Sequence, residues 1–181
     1  MSYLERLKKE FEELTERLKK LGAFLNSDNV SAVNEVELYL LNLQFYHMQR
    51  YQEILNQRLN GSYGQVLIEG IDLIAMERWD QIHAKGYDTV HDQQYKTSAL
   101  GNAAICYAIM AGCTPRMRKR FRHFNKQGRP PNGWPWSSAH FKPGEGDSDQ
   151  ERVRELTKAA ALIAAEIDRI ERKKQSPEAE A

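Results

Sequence analysis

The sequence lacks the residue patterns that announce metal or redox chemistry. Its only two cysteines, Cys106 and Cys113, form no CxxC pair and have no histidine at zinc-ligand spacing, which excludes a zinc ribbon or a disulfide scaffold and leaves two buried thiols. No run approaches eighteen apolar residues, so no helix can span a membrane. From Met1 to Arg6 the chain moves straight into a charged helical pattern with no apolar signal core, and a cytosolic location is expected. A phosphate-binding glycine loop, a nucleophile elbow and a His-Glu-x-x-His helix are all missing. Of the paired carboxylates that hold magnesium in all-helical nucleotide pyrophosphatases, Glu69 with Asp72 alone has the spacing, and the second pair is missing. No cofactor and no metal are expected.

What the chain does have is enough apolar material for a core, 41% of 181 residues, and an uneven charge distribution. The net charge is +1, yet residues 113–146 carry eight basic side chains against one acidic. A positive field concentrated in this way attracts phosphate-bearing partners.

Periodicity makes the fold all-α. Leu4, Leu7, Phe11, Leu14, Leu18, Leu21 and Leu25 alternate steps of three and four, the apolar seam of a coiled coil, behind a Ser2–Glu5 capping box. Asn34 with Glu37 opens a second helix, whose stripe of Leu38, Leu41, Phe45, Met48, Leu55 and Leu59 is interrupted by Gln52 and stops at Asn60-Gly61. Residues 1–60 therefore read as an antiparallel helical hairpin, which is expected to oligomerise or dock to cover its apolar surface; Tyr39, Tyr46, His47, Arg50 and Tyr51 are candidates for that surface or for a ligand cleft. Residues 61–64 are expected as a linker and 65–174 as a small three-helix module, with 175–181 as a disordered tail. Within the module, one helix runs from about Val66 to Lys85-Gly86 and a second, rich in small residues, begins at Tyr95 or Thr97. The last runs from about Ser148 to Lys174 on a stripe of Val153, Leu156, Ala160, Ile163, Ile167 and Ile170. Prolines and glycines between Gly112 and Gly146 predict a long loop there.

Three constellations could carry chemistry. Glu77, Arg78 and Gln81 share one helical face, and an arginine fork beside them can hold a phosphate or carboxylate; His91 and Asp92 follow in a loop. The same residues could equally tie that loop to the helix. The second is the basic run containing Arg116, Arg118, Lys119, Arg120, Arg122, Lys126 and Arg129 with Phe121 and Phe124 interleaved, a pattern suited to nucleotides or single-stranded nucleic acid, or to a solvated basic loop. The third is Trp134 and Trp136, held by Pro130, Pro131 and Pro135, which can stack on a base or cover a seam between helices.

Tyr3-Leu4-Glu5-Arg6-Leu7, Leu21-Gly22-Ala23-Phe24-Leu25 and the helix from Met48 to Leu59 resemble the helical-hairpin domain of small proteins of crAss-like and other phages. Glu77-Arg78, Gly86-Tyr87, His91-Asp92, Ala103 to Tyr107, Trp134-Pro135-Trp136, Lys158-Ala159 and Glu166-Ile167 resemble a second module common in phage and prophage reading frames. In type the chain is similar to phage sponges that sequester the nucleotide immune signals of CBASS and Thoeris. That resemblance implies a homo-oligomer in the host cytoplasm that binds a cyclic oligonucleotide or ADP-ribose derivative without cleaving it, and suppresses host defence. Arg78, Arg118 and Arg120 would then take phosphates, Glu77, Gln81, His91 and Asp92 would read ribose or base edges, and Trp134 or Trp136 would stack. The alternatives are a nucleotide-signal phosphohydrolase using His91 and Asp92, and a nucleic-acid or host-protein binder working through 116–129.

Overall fold

The computed structural model describes residues 2–61, 69–95 and 97–174. Among these residues it is all-helical, with seven α-helices and no strand. The chain divides into two compact units, Met1–Leu67 and Ile68–Ala181.

The first unit is a hairpin of α1 (Tyr3–Leu25) and α2 (Glu35–Asn60), joined through a 3₁₀ turn at Asp28–Ala32. Both ends anticipated from sequence are built. Ser2 accepts from Glu5 N while the Glu5 carboxylate accepts from Ser2 N, and Asn34 accepts from Glu37 N. Gly61 stops α2 in the left-handed region at φ +61, where a side chain would be strained. Leu7, Leu14, Leu18 and Leu55 form the core, flanked by Phe11, Phe45, Met48 and Leu59. The polar interruption at Gln52 has a partner across the hairpin: its Nε2 donates to Thr15 Oγ1 at 2.6 Å. Leu4 lies exposed at the open end. On the outer face of α2, Val36, Tyr39, Leu40, Leu43, Tyr46, Tyr51 and Ile54 are exposed as well.

In the second unit α7 (Asp149–Lys174) is the strut on which α3 (Gly70–His83), α4 (Thr89–Gln93) and α5 (Ala99–Gly112) pack. Small residues make the α5–α7 contact close: Ala99, Ala103 and Ala104 on one side, Ala159, Ala161 and Ala165 on the other, all buried. The core gathers around Tyr107, Met110 and Phe141.

Three sequence expectations are corrected here. The stretch expected as loop contains α6 (Pro115–Lys126), because Thr114 caps its first turn by accepting from Met117 N and Pro115 sits at the first helical position, where its missing N–H costs nothing. The loop after Gly86 likewise folds into α4, capped by Asp88 accepting from His91 N at 2.9 Å. On α7, the stripe Val153, Leu156, Ile163, Ile167 and Ile170 faces outward, and the alanine face turns inward instead. The expected linker residues beyond Gly61, the helix start at Val66, Leu67 and Ile68, and the tail 175–181 lie outside the described residues.

Candidate functional site

The second unit contains a cavity of about 430 Å³, a size suited to a small organic ligand. Helix α3 contributes Glu77, Arg78 and Gln81, the turn after it Lys85 and Tyr87, and α4 His91 and Asp92. Trp134, Trp136, His140 and Lys142 enter from the segment between α6 and α7, and Lys158 from α7. Seven of the nine residues singled out from sequence thus line one space: Glu77, Arg78, Gln81, His91, Asp92, Trp134 and Trp136.

Arg78 is buried and organises one wall. Its Nη2 donates to Asp92 Oδ2 at 2.7 Å, and its Nη1 donates to the Tyr87 carbonyl at 3.2 Å and to Gln81 Oε1 at 3.4 Å. The fork therefore ties α4 and the preceding turn to α3. Asp92 is buried as well and approaches His91 Nδ1 at 3.4 Å, so the arginine sets the position of the histidine through the carboxylate. Glu77 accepts from Gln81 Nε2 at 3.2 Å and from Lys85 Nζ at 3.1 Å.

Aromatic rings continue from this wall around the cavity. Ring centroids follow one another at 4.9 Å from Tyr87 to His91, 5.5 Å to Tyr95, 5.4 Å to Trp136, 5.2 Å to Trp134 and 5.6 Å to Tyr107. Of this series of rings the sequence isolates His91, Trp134 and Trp136. The two tryptophans are aimed by the Pro131–Trp134 turn, in which Gly133 takes φ +88, and by Trp134 Nε1 donating to the Ser137 carbonyl at 3.1 Å. Phe141, fully buried beneath them, anchors the segment.

The charges within the cavity do not cancel. Arg78 is matched by Asp92, with Asp168 at 3.9 Å, and Lys85 by Glu77 and Asp80, whereas Lys142 and Lys158 make no salt bridge among the described residues. Lys158 lies over the Tyr107 ring, 5.2 Å from its centroid, and donates to the Lys142 carbonyl at 3.1 Å. Burial, with the Arg154 cation adding to it, lowers the Lys158 amine to a pKa of about 8. Burial likewise pushes the Tyr107 and Tyr95 phenols up. Lys158 is the residue that sequence reasoning missed most plainly. The one available signal was a lysine on the alanine-rich face of the last helix.

The two remaining site candidates lie elsewhere. Arg118 is 0% exposed. Its Nε donates to Asp147 Oδ1 at 3.0 Å, its Nη1 to the Met110 carbonyl and Glu155, and its Nη2 to the Gly146 carbonyl and Glu155 Oε1, both at 3.0 Å. All five guanidinium donors are used within the fold, so the assignment of Arg118 to ligand phosphate is corrected: it locks α6 to α7. Arg122 completes the lock by donating to the Gly146 carbonyl at 2.7 Å and to Asp147, whose carboxyl Arg122 and Arg118 hold below the usual carboxylate range. Arg120 is exposed over the Phe124 ring and does not line the cavity. Cys106 is buried, its thiol pushed up by burial, and Cys113 is half-buried. No cluster that could hold a metal ion occurs among the described residues.

A family model described as Sequestin matches residues 1–60. The first sixty residues are thus similar to that family, over the α1–α2 hairpin and about a third of the chain. Comparison with curated proteins and with solved structures gives no match. The cavity lies wholly outside the matched residues. Among the described residues no helix is long and apolar enough to cross a membrane.

Proposed function

We propose that the protein binds and sequesters an anionic, ring-bearing metabolite, a phosphorylated nucleotide signal such as a cyclic oligonucleotide or an ADP-ribose derivative, without cleaving it. On this reading it acts as a phage sponge for a nucleotide-derived immune signal. The observation that carries the proposal is the cavity itself, lined by a run of six aromatic rings and by two lysines that make no salt bridge among the described residues. Base–aromatic stacking contributes about 1–3 kcal/mol per base, and a phosphate satisfies the lysines. The Sequestin match on the hairpin supports sequestration as the mode of action.

Within this proposal the roles expected from sequence change at the phosphate end. Arg78 is the positioning residue that holds the His91 wall in place, and Lys158 and Lys142 take the phosphate. Trp136 and Trp134 stack on the base, while Glu77 and Gln81 read hydroxyl or base edges. The reading as a phosphohydrolase gains nothing from His91 and Asp92, since the Asp92 carboxylate is already committed to Arg78.

The test is equilibrium depletion. Full-length protein is mixed with ADP-ribose, cyclic dinucleotides and cyclic trinucleotides, and free ligand is measured in the filtrate. At least one compound is expected to be depleted stoichiometrically, and Arg78→Ala and Trp136→Ala are each expected to weaken depletion about tenfold or more. No depletion by the wild type, or depletion untouched by both substitutions in folded protein, overturns the assignment of this cavity.

A further inference from the structure

Helix α7 has two unlike faces. Its inner face packs alanines on α5 and lends Lys158, Leu162 and Ala165 to the cavity. Its outer face carries Val153, Leu156, Ile163, Ile167 and Ile170, each 42–54% exposed, with Ala160 at the centre. The steps along 153, 156, 160, 163, 167 and 170 are three, four, three, four and three, which is the heptad spacing of a coiled-coil seam. A helix needing burial on one face alone would be polar here.

We infer that this outer face of α7 is an interface with a second copy of the chain, formed by two α7 helices packed antiparallel. Two observations select that occupant. The stripe is complementary to itself: in antiparallel register Val153 meets Ile170, Leu156 meets Ile167 and Ala160 meets Ile163 of the second copy, and each layer occurs twice about a two-fold axis. Area also suffices. α5, which packs on α7, adds exposed Ile105 and Ile109. At roughly 80 Å² for a half-exposed aliphatic side chain, these seven residues present roughly 550 Å² of apolar surface. A stable dimer buries about 800 Å² per partner, of which a little over half is apolar.

The interface is independent of the ligand proposal, because its residues point away from the cavity. The test is the mass of the full-length protein by light scattering and sedimentation over a concentration series. A dimer is expected, and Ile163→Asp is expected to raise its dissociation constant about 30-fold or more, with helix content by circular dichroism unchanged because Ile163 is half-exposed in the protomer. Leu156→Asp, whose partner is Ile167 of the second copy, should weaken the dimer comparably, whereas the volume-conserving Leu156→Met should leave it nearly unchanged. A monomeric wild type overturns the inference. So does a dimer that withstands Ile163→Asp but is lost with Leu43→Asp on the hairpin, which would place the contact on α2.

Discussion

The cavity and the α6–α7 lock are built from the same kinds of residue and behave oppositely. In the lock, each donor of Arg118 meets an oxygen of the fold, Glu155 is buried against it, and Gly144 N donates to the same carboxylate at 2.8 Å. In the cavity, the pairing stops short: Arg78 and Lys85 are matched, while Lys142 and Lys158 line the space without a salt bridge among the described residues. A cluster of basic residues becomes a candidate site only when the fold leaves its charges without partners and gives a ligand room to enter. Charge density along the sequence points to α6, where Arg118 and Arg122 are engaged within the fold and Arg120 lies exposed outside the cavity.

Substitutions can break this contrast from either side. The largest effect is expected at the lock. Arg118→Met would leave Glu155 buried without its cation and lower stability by about 3–5 kcal/mol, measured by denaturant titration, with ligand affinity unchanged in the protein that remains folded. Next comes the aromatic wall. Trp136→Ala should cost about 1–3 kcal/mol of binding, read by calorimetry, and leave the unfolding midpoint nearly in place.

The third effect is a pH dependence. The Lys158 amine is lowered to about 8, and a bound anion favours its protonated form, so binding takes up a proton above that pH. Affinity should fall as pH rises through about 8, by at most tenfold per pH unit for one proton. Without ligand the sign is reversed. The unfolded chain holds the proton more tightly, so stability rises between about 8 and the ordinary lysine value of 10.5. Lys158→Arg should remove the pH dependence of binding in this window. The smallest effect belongs to Arg120→Ala, which should change stability by no more than about 0.5 kcal/mol and leave binding untouched, because the exposed Arg120 lies over the Phe124 ring away from the cavity.

Local rules made the hairpin legible: its heptad seam, both N-caps and the Gly61 stop are visible in sequence and present in the fold. They failed where tertiary pairing decides. Pro115 was counted as a breaker, although Thr114-Pro115 is also a helix start. The aliphatic stripe of α7 suggested the buried face, but the short reach of alanine lets α5 come closer on the other side. In the site, Glu77, Arg78 and Gln81 were recognisable by helical spacing and His91-Asp92 by proximity. Tyr95, Tyr107 and Lys158 reach the same space from distant parts of the chain, and of these local pattern marks only Lys158, as a lysine on an alanine-rich helical face.

The central claim is capture without chemistry. Full-length protein saturated with the depleted ligand, freed of excess and then heat-denatured, should release that ligand intact and in stoichiometric amount by mass spectrometry. Release of hydrolysed products, or of nothing, would contradict it.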